Sequence, residues 1–305
     1  MKTHPSKNPH KILQAYQQNL QQVVGLSPKT CRDRFRDVRR FLEAVHVRRI
    51  GDLADLASVD LVGYLTARSA DYEPASLRNV ASAVRDFLRF AQQRGWLKQS
   101  LEWAVPKIAC GAHHDLPFYL SGPQLETLLA SWDRRTAEGR RDRAIGLCLA
   151  RLGLRAGEVA GLLLEDIHWR AATLRIRHSK NGSPAQLPLL SEVGQAVAAY
   201  LSAGRPACPH RQIFLFPQPA RPMDSKAVSQ VIQRALRRCG IEAPRPGAHL
   251  LRHTLASHLV QNGASLKEIA DLLRHRDLNS ASVYAHVDLP CLRPLAQPWP
   301  TEAAL

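Results

Sequence analysis

Six side chains in the second half of this 305-residue chain are of types that can act together on a charged ester. Arg155 follows Gly153 in LGLRAGE, where a helix should end, and Glu158 stands three residues on. Lys180 sits beside Asn181-Gly182 in HSKNGS. His249, Arg252 and His253 lie within five residues, and His249 and Arg252 share one helical face. His275 closes the run SLKEIADLLRH, and Tyr284 follows in SASVYAHV. Forked guanidiniums suit the non-bridging oxygens of a phosphodiester, and a hydroxyl supplies a nucleophile. No carboxylate cluster accompanies them, so neither a metal nor any other cofactor is expected.

Each of these residues also has a plainer reading. Arg155 can be an ion-pair partner of Glu158. Lys180 can be a solvated turn lysine. His249 and His253 are spaced like zinc ligands of an H-E-x-x-H helix, but His249-Leu-Leu-Arg-His253 lacks the acidic residue. His275 can cap a helix C-terminus, favourable with the macrodipole. Tyr284 can be a core residue between Val283 and Val287.

Charge narrows the partner. The chain has 42 Lys and Arg against 26 Asp and Glu, a formal net charge of +16. The excess is spread, with 18 basic and 11 acidic residues in 1–115 and 24 and 15 in 116–305. Two basic halves fit a long polyanion gripped by both, and nucleic acid is the first candidate. No run of eighteen uncharged apolar residues exists, so no membrane span is expected, and the N-terminus lacks the apolar core of a secretory signal. The six cysteines are far apart, without a C-x-x-C pair, which fits reduced thiols in a cytoplasm.

The elements that position these residues read as mainly helical, with a small β-hairpin, in two domains. Ser27-Pro28 opens a helix with Phe35, Val38, Phe41, Leu42 and Val45 at helical spacing. SVDLVGYLTAR and ASLRNVASAVRDFLRFAQQRG read as two more helices. Pro106, Gly111 and Pro117 mark a linker over 109–118, separating a helical domain, 1–108, from a mixed domain, 119–290. There, Ser121 with Gln124 forms a capping box, TLRIRH and AQLPL flank the Asn-Gly turn as strands, and Ser265 with Glu268 caps SLKEIADLLRH. Residues 291–305 form a proline-rich tail.

LGLRAGEV, HSKNG, HLLRHTLASHLVQNGASLKEIADLLRH and VYAH, in that order, resemble the tyrosine recombinases, the Xer-like phage-integrase superfamily. The resemblance covers nearly the whole chain. It implies a helical core-binding domain, SAM-like, in the first half and the catalytic domain in the second. Residue by residue, it implies Arg155 and Arg252 as catalytic arginines, Lys180 as the hairpin lysine, His249 and His275 as catalytic histidines and Tyr284 as nucleophile. Glu158 and His253 would be supporting residues. Its further implications are double-stranded DNA as partner, a tetrameric synapse with or without a partner recombinase, and a bacterial, cytoplasmic, nucleoid-associated setting. Arg32, Arg36, Arg39, Arg40, Arg85 and Arg89 would meet phosphates as the first domain closes over the duplex.

Three positions depart from the family's usual pattern. Arg274 replaces a frequent glycine before the second histidine, and its side chain can touch DNA or lengthen the helix. Ala281 stands where threonine is frequent. The proline-rich tail differs from the helical terminus of Xer proteins and looks more like transposon-borne members. The complete set argues against two competing readings, a type IB topoisomerase and a non-catalytic DNA-binding regulator.

Overall fold

The computed structural model describes residues 10–109, 118–177 and 184–274. The chain divides into two compact units, Met1–His113 and His114–Leu305.

The first unit is built from α1 (His10–Gln18), α2 (Pro28–Ala44), α3 (Ser58–Ser69) and α4 (Pro74–Gln93). Ser27 caps α2 as its sequence predicts, its Oγ accepting the Thr30 N–H at 3.2 Å, and Pro28 supplies the first helical residue. Apolar residues at helical spacing give each helix a buried stripe. Ile12, Leu13 and Tyr16 of α1 meet Val38, Phe41 and Leu42 of α2 and Leu77, Val84, Phe87 and Leu88 of α4. Tyr16 and Phe87 pack edge to face, with ring centroids 5.4 Å apart.

The second unit begins with α5 (Gly122–Ala130), α6 (Ala137–Arg151) and α7 (Ala156–Gly161). The strands β1 (Ile167–His168), β2 (Thr173–Ile176) and β3 (Ala185–Pro188) form one antiparallel sheet. Leu174 pairs with Leu187 and Arg175 with Gln186, so the two segments read as strands are neighbours in the sheet. Residues 178–183, on which the expected Asn181-Gly182 turn falls, lie outside the described residues. Helix α8 (Ser191–Ala203), the short pair β4 (Leu215–Phe216) and β5 (Arg221–Pro222), α9 (Ser225–Arg238), α10 (Ala248–Gln261) and α11 (Leu266–Leu273) follow.

Helix α6 is the axis of this unit. Ala144 through Ala150 are all buried, and α8, α9 and α10 pack around it. Helix α10 is also enclosed on most sides, which is why it lacks a single apolar stripe. Its Thr254 Oγ1 accepts the Leu120 N–H at 3.0 Å, and its His258 Nε2 lies 2.8 Å from the Leu120 carbonyl. The segment preceding α5 is thereby fixed along α10. The expected architecture, mainly helical with small antiparallel sheets, is the one observed. No helix among the described residues is long and apolar enough to cross a membrane.

Candidate active site

The site begins at the end of α6. Gly153 takes φ +58°, a left-handed conformation that glycine adopts without a side-chain clash. A Cβ there would come within 2.7 Å of Leu273 Cδ2 and 3.0 Å of Leu255 Cδ2, so glycine also permits the close approach of α10 and α11. The turn then delivers Arg155 to the start of α7. The Arg155 N–H donates to Glu158 Oε2 at 2.9 Å, and its Nη1 donates to Glu158 Oε1 at 2.8 Å. The Glu158 side chain is only 2% exposed. A buried carboxylate requires such partners, because an unpaired charge there is costly.

Helix α10 supplies the second group. It starts at Gly247, whose φ of +147° and contact with α9 leave no room for a Cβ: one would lie 2.4 Å from Ser229 Oγ. That oxygen accepts the Ala248 N–H at 3.2 Å. One turn on, Arg252 is buried, with its guanidinium bonded to the main-chain carbonyls of Gly153 and Leu273. His249, on the same face, is exposed. The His249 and His253 rings lie 5.8 Å apart. Burial, with His249 and Arg252 nearby, pushes the His253 imidazole down to about 4. His253 is therefore neutral at pH 7.

The third wall is the end of α11. Arg274 terminates the helix in a left-handed conformation, φ +55° and ψ +49°, so it does not lengthen it. Its carbonyl accepts from Arg155 Nη2 at 3.3 Å, and its own Nη2 donates to Glu158 Oε2 at 2.7 Å. The structure thus brings Arg155, Glu158, Arg252 and Arg274 into one connected group, with His249 and His253 on the adjoining helix. Lys180, His275 and Tyr284 lie outside the described residues. Their flanks are described: β2 and β3 border the segment containing Lys180, and Arg274 immediately precedes His275.

Five of the six arginines named on the first unit have local partners. Arg36 pairs with Asp37 at 3.1 Å, Arg39 with Glu43 at 2.8 Å and Arg89 with Glu102 at 2.7 Å. Arg40 donates to Tyr72 Oη at 2.9 Å, and Arg85 donates to the Val105 carbonyl at 3.1 Å. Arg32 is exposed on α2. The exposed ion pairs among these contribute little to stability.

Residues 119–289 match the phage integrase family, and residues 13–95 match the phage integrase N-terminal SAM-like domain. The chain belongs to the phage integrase family. Its members are tyrosine-type site-specific recombinases. This integrase is 38% identical over 299 residues to a Sinorhizobium fredii protein named as an integrase/recombinase, covering 95% of this chain and 71% of that one. It is 28% identical over 271 residues to the tyrosine recombinase XerD of Listeria monocytogenes, covering 86% and 89%. Its fold is similar to that of lambda integrase in a tetramer bound to a Holliday junction, with TM-score 0.70, 19% identity and coverage of 92% of this chain and 78% of that one.

Sequence reasoning picked out Glu158 as a partner of Arg155. The sharing of its carboxylate with Arg274 was not visible in advance. The one available signal was a long cationic side chain at a helix-ending position where glycine is common.

Proposed function

We propose that this integrase cuts and rejoins double-stranded DNA through a 3′-phosphotyrosine at Tyr284, in the integration, excision or transposition of a mobile element. The observation that carries the reading is the convergence of Arg155 and Arg252 on consecutive carbonyls, those of Arg274 and Leu273, directly before His275. Two guanidiniums held side by side suit two non-bridging oxygens of one phosphate.

In the proposed reaction, Arg155, Arg252 and His275 hold the scissile phosphate and stabilise the charge that develops on its equatorial oxygens. A tyrosine hydroxyl, ordinarily near pKa 10, is a weak nucleophile at neutral pH. His249 takes its proton as Oη attacks phosphorus. The bond from phosphorus to the 5′ oxygen breaks, and Lys180 protonates that leaving oxygen. The ester is conserved as the tyrosyl link. A 5′ hydroxyl from another strand can attack it, so rejoining requires no ATP.

Residues 1–108 would act as the core-binding domain, 109–118 as linker, 119–290 as the catalytic domain and 291–305 as an appended tail. Arg32, Arg36, Arg39, Arg40, Arg85 and Arg89 would meet DNA phosphates. Two rounds of exchange in a four-protomer synapse would complete recombination, in the bacterial cytoplasm at the nucleoid.

The test uses duplexes selected by the chain from a random-sequence pool, then nicked beside the bound site so that cleavage is trapped. Covalent adduct followed by joining between two duplexes is expected. Adduct with relaxation but no joining would favour a topoisomerase. Binding without adduct would leave a non-catalytic regulator.

A further inference from the structure

Arg274 occupies a left-handed position that glycine would take without steric conflict. A side chain is kept there despite that conformation, and its contacts are specific. Nη2 donates to Glu158 Oε2 at 2.7 Å, and Nη1 donates to the Leu272 carbonyl at 3.2 Å. The Arg274 carbonyl accepts from Arg155 Nη2 at 3.3 Å, while Glu158 Oε1 accepts from Arg155 Nη1 at 2.8 Å. These bonds close a ring in which Arg155 is held on one side by the Glu158 carboxylate and on the other by the Arg274 backbone.

We propose that Arg274 is a positioning residue for Arg155, acting through the shared Glu158 carboxylate. The inference rests on the reading above, in which Arg155 meets the scissile phosphate. Two physical reasons favour positioning over direct DNA contact. The Arg274 side chain is 10% exposed and Glu158 is 2% exposed, so turning Arg274 toward DNA would remove one of the two guanidiniums of a buried carboxylate. Second, Glu158 alone would cancel the charge of Arg155. With Arg274 the trio carries one net positive charge, so Arg155 is fixed in direction without its stabilisation of the charge developing on the phosphate being cancelled. A guanidinium misplaced by about 1 Å can lose about 100-fold in rate.

The experiment is single-turnover cleavage of nicked duplexes selected from a random pool, using the full chain. Arg274→Gly, Arg274→Lys, Glu158→Gln and the double variant Arg274→Gly with Glu158→Gln are compared with the unaltered chain. Arg274→Gly should cleave about 10- to 100-fold more slowly at saturating DNA, with Kd and its salt dependence unchanged. Arg274→Lys, which keeps the charge and one bond to Glu158, should recover part of the rate and separates a folding defect from a lost contact. In the Glu158→Gln background, Arg274→Gly should cost less than about twofold more, because the route through the carboxylate is already broken. An unchanged rate in Arg274→Gly overturns the proposal. So does weaker binding with the salt slope reduced by about one at an unchanged maximal rate, the mark of a phosphate contact. Full additivity in the double variant also overturns it. If the unaltered chain forms no adduct, the functional reading itself fails. An adduct formed equally fast by the chain and Arg274→Gly removes only the role of Arg274.

Discussion

The guanidinium of Arg252 bonds the main-chain carbonyl of Leu273, so the last residue of α11 is held by a side chain from the middle of α10. The same guanidinium bonds the Gly153 carbonyl at the end of α6. One arginine therefore joins three chain segments at the point where the chain leads into His275. Replacing it affects both architecture and chemistry.

Arg252→Lys keeps the charge but loses the planar fork that reaches both carbonyls. One buried carbonyl loses its donor, at a cost of about 1–3 kcal/mol. Urea unfolding should show that loss as a lower midpoint with an unchanged slope, and cleavage should fall without a change in preferred DNA sequence. An unchanged midpoint would mean that the two carbonyls are not carried by Arg252.

His253 gives stability a pH dependence of known sign. Its folded value is about 4 against an ordinary 6.5, so between those values the unfolded chain takes up the proton first. The contribution is fully present above about pH 6.5 and is lost as pH falls toward 4. Thermal unfolding followed from pH 7.5 to 4.5 should show a falling Tm, and His253→Gln should make that fall shallower. Parallel profiles for the two proteins would exclude His253 as the titrating group.

The Tyr16 hydroxyl is buried in the first unit with no hydrogen-bond partner among the described residues, and burial pushes its pKa up to about 12. Tyr16→Phe removes a desolvated polar atom while keeping the ring against Phe87 and Phe90. The variant should be as stable as the parent or more stable, by about 1 kcal/mol. A clear loss of stability in denaturant unfolding would reveal a bond made by that hydroxyl.

Much of the frame is legible in the sequence because its signals are local. Ser27-Pro28, Ser121 with Gln124 and Ser265 with Glu268 all cap the helices they predict. Each acts over three residues and does not depend on the rest of the fold. Thr136 likewise caps α6, its Oγ1 accepting the Gly139 N–H. Helix α1 and the pair β4–β5 carry too few residues for a periodic pattern to stand out. The pairing of Arg274 with Glu158 joins residues 116 positions apart, and the clamp of Leu120 by Thr254 spans 134. Nothing in local spacing encodes such contacts. They follow from packing α7 and α10 against their neighbours.

Lys180 follows the Arg175-Ile176 end of β2, in the segment between two paired strands. If it protonates the leaving 5′ oxygen, Lys180→Ala should cleave ordinary DNA slowly. A bridging 5′ sulfur leaves as a thiolate and needs little protonation. On that substrate Lys180→Ala should regain most of its rate, while Arg155→Ala should regain less. Equal defects on both substrates would remove Lys180 as the acid.

On this mechanism the chain becomes joined to DNA through Tyr284. Nicked duplexes selected by the chain are incubated with it in excess EDTA, and the trapped adduct is digested and its modified peptide sequenced by mass spectrometry. A 3′-phosphonucleotide is expected on the peptide containing Tyr284, with no adduct from Tyr284→Phe although that variant still binds the duplex. An adduct mapped to another residue, or one that persists in Tyr284→Phe, would contradict it.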